Sequence, residues 1–308
     1  MGMGVELRNL KVLLSVAKRG GFSAAAQDLA VTQSTVSKSI RQLEDECGVE
    51  LVERLPRGIK LTAAGEIVVR RAANLVAEEE HLLSELAELK GLLRGRLRVG
   101  IPPFGSSVIF APLVGEFHRR YPGIQLELNE SGAKELEEEL RRGGIEMAAS
   151  LIPPPDDFEW KELMEEPLMA LMPENHPLAN RSSVKLEELA PYPFILFETG
   201  FALNVLITSA FRKRRLELQE AARSAHSDFI VALVAAGLGV AILPRLVIES
   251  QATAGVQSVL IDEPDLTWHI AVIWRKDAAL SPAALKWLDL VHERLGATPP
   301  RRQSAPLG

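Results

Sequence analysis

Gln33, Ser34, Ser37 and Lys38 stand at i, i+1, i+4 and i+5, a spacing that gathers all four on one face of a helix. Their chemistry is that of base and phosphate recognition. A glutamine amide can bond adenine at two points, a serine hydroxyl can pair with several base edges, and a lysine reaches guanine or phosphate. Val36, Ile40 and Leu43 fall on the opposite face and would pack against neighbouring helices. Arg41, one turn further on, is placed for phosphate, and Arg54 and Arg57 could reach the backbone or the adjacent minor groove. The competing reading is a polar face that is merely solvated, since short helix pairs are common in proteins that never meet DNA.

A second set of residues is suited to small anions. Ser106-Ser107, Ser131, Thr199 and Ser227 each precede a predicted helix at a strand-to-helix turn. Free N–H groups at a helix start, together with a hydroxyl, make an anion site; the same residues are also the ordinary helix caps. His226, at a predicted strand end, has no carboxylate or second histidine at metal-ligand spacing, so a structural role is favoured over charge sensing. There is no Gly-x-Ser-x-Gly elbow, no His-Glu-x-x-His pair and no phosphate-cradling Gly-Lys-Ser/Thr loop. Gly237-Leu238-Gly239 lacks a third glycine and follows a helix rather than a strand. No enzyme, metal or cofactor is expected. The one cysteine, Cys47, excludes a disulfide framework within the chain and reads as a small apolar residue.

The elements that must position these groups follow from periodicity. Leu7, Leu10, Leu13, Leu14 and Ala17 predict a helix over 5–19, ended by Gly20-Gly21. Ser23 is expected to cap a helix over 24–30, and Thr32 one over 33–47 closed by Gly48. Short strands at 51–54 and 59–61 would flank the Pro56-Arg57-Gly58 turn as a hairpin, or wing. Thr62 is expected to cap a long helix, 63–93. Within it Val68, Ala72, Leu75, Glu79, Leu82, Leu86, Leu89 and Leu93 keep a 4-3 spacing, with only Glu79 polar, the pattern of a self-pairing seam. Arg70, Arg71, Glu78, Glu85 and Glu88 occupy the other face. Gly91 and Gly95 suggest a hinge after it.

From there strands and helices alternate. Strands are predicted near 96–101, 124–129, 146–151, 168–172, 193–198, 220–225, 239–243, 257–261 and 268–274, and helices near 106–120, 132–142, 202–215, 228–236 and 281–295. That alternation indicates an α/β fold with mostly parallel sheets. The chain is expected to cross between two lobes near 161–166 and 264–269, with a ligand cleft between them.

Charge is unevenly shared. The whole chain carries -6, yet residues 1–62 hold nine Lys and Arg against seven Asp and Glu. A mildly basic segment on an acidic body supports nucleic-acid binding only weakly. The longest uncharged apolar run, Phe229 to Leu243, is too short to span a membrane and is broken by Gly237 and Gly239. With no secretory pattern at the N-terminus, a cytoplasmic protein without membrane association is expected.

Read together, Phe22-Ser23-Ala24-Ala25-Ala26, Gln33, Ser37, Leu43-Glu44, Gly48-Val49, Leu51, Arg54, Gly58, Leu61-Thr62 and Ala64-Gly65 closely resemble the N-terminal signature of LysR-type transcriptional regulators. The likeness continues through Arg96-Leu97-Arg98-Val99-Gly100, Phe117-His118-Arg119-Arg120-Tyr121-Pro122-Gly123, His176-Pro177-Leu178 and Ala232 through Pro244. The resemblance implies a winged helix-turn-helix over 1–62, a linker and dimerisation helix over 63–93, and an effector-binding domain over 94–297. That domain would be two-lobed, like a periplasmic binding protein, with one lobe from 95–162 plus 268–297 and the other from 163–267. A disordered tail, 298–308, would follow. Carried over by position, Thr32, Gln33, Ser34, Ser37 and Lys38 read bases, with Arg54 and Arg57 on the wing. Effector contacts fall at Ser106, Ser107, Ser131, Thr199, Phe201 and, less directly, Ser227 and Asp228. Implied partners are double-stranded promoter DNA, a small-molecule effector, further copies of the chain as dimer and tetramer, and RNA polymerase. One departure stands out: the family often has Pro and then Ala after the glutamine, where this chain has Ser34-Thr35. The loss of a preset first-turn dihedral puts the bases preferred there in question. The rival class is a solute-binding protein with no DNA role, which would have no use for residues 1–93.

Overall fold

The computed structural model describes residues 4–55, 58–88, 94–251 and 254–295. Arg57, Gly91, Leu89, Leu93 and the tail 298–308 therefore lie outside the described residues.

Three helices open the chain: α1 (Leu7–Arg19), α2 (Phe22–Asp28) and α3 (Gln33–Cys47). Gly20 and Gly48 terminate α1 and α3 in the left-handed region, at φ 70 and 69, a conformation glycine adopts without a Cβ clash. Thr32 caps α3 as expected, accepting the Thr35 N–H at 3.2 Å. Ser23 does not cap α2. Gly21 holds that position and Ser23 lies inside the helix, because the extended Gly21 lets the turn begin two residues early. Leu10, Leu13 and Val16 of α1 join Ala25, Val36, Ile40, Leu43 and Leu51 in one core. Leu7, the first residue of α1, is exposed.

The wing is a two-stranded antiparallel ribbon, β1 (Val52–Arg54) with β2 (Ile59–Leu61). Glu44 of α3 anchors it: one carboxylate oxygen accepts N–H groups from Leu51 at 2.9 Å and Val52 at 3.2 Å. Helix α4 (Ala63–Glu88) follows, with Thr62 accepting the Gly65 N–H at 2.9 Å. Its first half belongs to the same core, through Val69 and Ala72. The predicted seam therefore splits. Val68 and Ala72 turn into the chain's own core and Glu79 pairs with Lys11 of α1, whereas Leu75, Leu82 and Leu86 stay 53%, 56% and 49% exposed.

The remainder is built on a mixed sheet rather than a mostly parallel one. The first strands are β3 (Gly95–Ile101), β4 (Ile124–Glu130) and β5 (Met147–Leu151), mutually parallel in the order β4-β3-β5. Helices α5 (Ala111–Arg120) and α6 (Ala133–Arg141) connect them, α5 being entered through a π-turn at Ser106–Phe110. The sixteen-residue β6 (Phe158–Pro173) is far longer than the predicted 168–172. Its first half pairs antiparallel with β12 (Thr267–Arg275), which also flanks β5. Its second half pairs antiparallel with β10 (Ala241–Pro244) and β11 (Val256–Ile261). One strand thus runs continuously from one β-unit into the other, and the charged residues Glu159, Lys161, Glu162 and Glu165 hide its strand pattern in the sequence. Short β7 (Ser183–Val184) and α7 (Leu186–Leu189) were not foreseen. Then come β8 (Phe194–Phe197), α8 (Ala202–Lys213), β9 (Glu220–Ser224), parallel to β8, α9 (Ser227–Ala235), the unforeseen α10 (Arg245–Glu249), and α11 (Pro282–Leu295), whose Trp287 is fully buried.

Candidate functional site

Helix α3 is amphipathic in the sense that DNA reading requires. Val36, Ile40 and Leu43 are almost wholly buried, while Gln33, Ser34, Lys38 and Arg41 are exposed. Ser34, Ser37, Lys38 and Arg41 line one open concavity with Gln42 and Asp45. Thr32 is spent locally: its hydroxyl lies 2.8 Å from both the Ser34 and the Thr35 hydroxyls as well as capping the helix. Ser37 is bound to the wing. Arg54 donates from Nη2 to its Oγ at 2.9 Å, which leaves the Ser37 O–H free to donate outward. The Arg54 guanidinium also sits 4.7 Å over the Phe22 ring, a cation–π contact that fixes the fork. Residue spacing carries no sign of this brace, because Phe22, Ser37 and Arg54 meet only in the folded unit.

A second bracket holds α1 to α2. Asp28 accepts from Ser15 Oγ at 2.9 Å and from Arg19 Nε at 3.0 Å. The Arg19 and Ser15 hydrogen bonds hold its carboxyl below the usual carboxylate range. A depressed folded value means this contact contributes above the unfolded value and is lost only as pH falls through the lower one.

The candidate ligand site lies past the carboxyl ends of β3 and β5. A cavity of about 70 Å³ is lined there by Phe104, Gly132, Ser150, Phe201, Trp268 and Ile270, among others. Phe104 meets Phe197 at 4.7 Å and Trp268 at 5.2 Å between ring centroids, and Phe197 stacks on Phe201 at 5.2 Å. Gly105 makes the packing possible. Its φ is +80, and a Cβ would lie 2.8 Å from the Trp268 ring. A Cβ at Gly132 would stand 3.7 Å from the Gly200 carbonyl oxygen, so the Ser131 and Thr199 segments face each other across the opening.

Of the seven expected effector residues, Phe201 lines this cavity, while Ser106, Ser107, Ser131, Thr199, Ser227 and Asp228 lie outside its lining. Ser106 is engaged locally, its single hydroxyl hydrogen shared between the Pro103 carbonyl at 3.0 Å and the Glu130 carboxylate at 3.1 Å. The Ser227 hydroxyl accepts from Gln251 at 2.7 Å. Hydroxyl-rich turns signalled helix starts correctly but said little about the lining, which is mostly apolar and comes from five separated parts of the chain. Among the described residues, no helix is long and apolar enough to cross a membrane.

Comparison with known proteins gives a match over each of the two parts of the chain. Residues 7–66 match the family model for bacterial regulatory helix-turn-helix proteins of the lysR family, and residues 90–296 match the LysR substrate binding domain. The chain is 32% identical to the HTH-type transcriptional regulator YwbI of Bacillus subtilis, over 97% of this chain and 99% of that protein. It is 30% identical to the transcriptional activator CmpR of Synechocystis, over 92% and 93%. A full-length OxyR variant from Pseudomonas aeruginosa superposes with a TM-score of 0.79 at 26% identity, covering 98% of this chain and 99% of that one.

Proposed function

This chain belongs to the LysR family of bacterial transcriptional regulators, and we propose that it reads an imperfect palindromic promoter site as a dimer and changes the bend of that DNA when an effector fills the cleft. The observation that carries the reading is the outer face of α3. Gln33, Ser34 and Lys38 are exposed over a packed apolar back, with Ser37 and Arg54 locked beside them. Two such helices, related by the two-fold of a stalk built from α4, would enter successive major grooves. Thr32 orders the first turn, and Arg41 and Arg57 reach the phosphates. Assembly of two dimers into a tetramer would let lobe movement alter the spacing of the DNA-binding pairs. The effector must bind the two arrangements with different affinity for that to happen.

The test is a promoter fragment from upstream of the gene. Affinity should fall steeply with salt as counterions are released at phosphate contacts. Gln33→Ala should weaken specific binding by about ten-fold, the worth of one bidentate base contact, and non-specific binding far less. Equal losses on both would contradict base reading.

For the cleft we propose a small organic acid with an apolar skeleton. Phe104, Phe201 and Trp268 would cover the skeleton, and the starts of α6 and α8, at Ser131 to Ala133 and Thr199 to Ala202, would face the carboxylate. Ser106, Ser107 and Ser227 would act further out, at the rim. Small aryl and alkyl carboxylates should raise the melting temperature of the full chain. Stabilisation by neutral compounds or cations alone would count against an acid.

A further inference from the structure

A larger cavity lies at the other end of the same strands. It holds about 420 Å³ and shares no lining residue with the cleft. Its floor is the amino-terminal ends of β3 and β4 and the entry to β5, with Arg96, Arg98, Gln125 and Glu146; the end of β12 supplies Trp274 and Arg275, and α4 forms a wall with Glu80 and His81. Along β3 the one lining ends at Arg98 and the other begins at Pro102, so at about 3.3 Å per residue the two cavities sit roughly 13 Å apart.

The charges around this cavity are unbalanced. Among the described residues four arginines, Arg94, Arg96, Arg98 and Arg275, line it against two carboxylates, Glu80 and Glu146, and Arg96 is paired with Glu127 at 3.2 Å outside the lining. Glu146 is already committed. It accepts the Ser281 N–H at 2.5 Å and the Ser281 hydroxyl at 2.9 Å, and the His81 ring nitrogen stands 3.5 Å away. Among the described residues the counter-ion of Arg98 is Glu80, at 3.8 Å. Arg275 is the most telling group. Its Nη1 is out of contact with solvent and has no hydrogen-bond partner among the described residues. Burial pulls its guanidinium below the ordinary arginine range, against an opposing pull from Asp277. A guanidinium carries five fixed donors, and leaving a buried charged donor unpaired costs more than leaving a neutral one. His81, buried on α4, is biased towards its charged form, first by the hydrogen bond to Glu146 and then by the fields of Glu146, Glu78 and Glu80.

We propose that this cavity is a second ligand site, for a small multiply charged oxyanion held by Arg98 and Arg275. Fork-shaped guanidinium groups suit phosphate and carboxylate oxygens, which they bind at two points. Because α4 forms one wall and the effector domain the rest, a ligand there bridges the stalk to that domain. It does so independently of the interlobe cleft.

The test is titration calorimetry of the full chain with inorganic pyrophosphate and with citrate, at fixed ionic strength. At least one should bind saturably. Arg275→Gln should weaken it by about ten-fold or more, the worth of a charge-assisted hydrogen bond. Arg98→Gln should do the same, and keeps the test open if the first variant misfolds. The double variant Lys38→Gln/Arg41→Gln removes cations from the DNA-facing helix and should bind as the parent does. No saturable binding by either probe, binding indifferent to both arginine variants, or binding lost in the Lys38/Arg41 variant would each overturn the proposal.

Discussion

Replacing Leu75 and Leu82 together by glutamate is expected to leave the protein folded but monomeric, with its affinity for the promoter fragment lower by about a hundred-fold or more. These two leucines and Leu86 are about half exposed on α4, at 4-3 spacing, while Val68 and Ala72 of the same predicted seam are packed inward. Covering an exposed leucine stabilises by about 1.5–3 kcal/mol, and a two-fold stalk covers each one twice. Glutamates facing each other across that axis add like-charge repulsion. Monomers lose the linkage of two DNA-reading units, worth about 10²–10⁴ in affinity. Sedimentation would report the oligomeric state and anisotropy the affinity. A variant that stays dimeric at micromolar concentration would place the joint elsewhere. Glu79 interrupts the open part of the seam between Leu75 and Leu82, because its pairing with Lys11 holds that position against α1.

The DNA-reading unit was legible because its determinants are local. Thr32 as cap, Gly20 and Gly48 as stops, and the 3.6-residue period of Val36, Ile40 and Leu43 all act within one helix length. The long-range parts were less so. The contact of Arg54 with Ser37 and Phe22 spans a turn and a helix. The first half of strand β6 is hidden in the sequence because Glu159, Lys161, Glu162, Glu165 and Glu166 interrupt its apolar residues, leaving no clean two-residue alternation. The place of the cleft was legible and its apolar lining was not. Serines and threonines mark helix starts in any protein, whereas the lining depends on Phe104, Phe201 and Trp268 meeting from sites far apart in sequence. The cavity beneath α4 gave no signal at all, since Arg98, Arg275 and His81 converge only through the packing of three elements.

Gly65→Ala should destabilise the DNA-reading unit by about 2–4 kcal/mol and remove promoter binding, while the effector domain keeps its own melting transition. The opposite sign would follow from helix propensity alone, because Gly65 lies inside α4 and alanine is the better helix former by about 1 kcal/mol. Close packing decides between the two. A Cβ at Gly65 would stand 2.0 Å from the Leu51 carbonyl oxygen and 3.0 Å from its carbon. That backbone cannot retreat easily. The Leu51 oxygen accepts the Thr62 N–H at 3.0 Å, the Thr62 hydroxyl donates to the Glu50 carbonyl at 2.7 Å, and Glu44 holds the Leu51 N–H. Leu51 itself is fully buried, so any shift is felt across the core that backs α3. Gly115→Ala is the control. It lies inside α5, where the nearest atom to a new Cβ is the Arg119 guanidinium at 3.7 Å. There propensity acts alone, and a gain of about 0.5–1 kcal/mol is expected. Two glycine-to-alanine changes inside helices should therefore move stability in opposite directions. A melting curve in which Gly65→Ala also rises would show that the junction between wing and stalk is loose, and with it the coupling of α3 to α4.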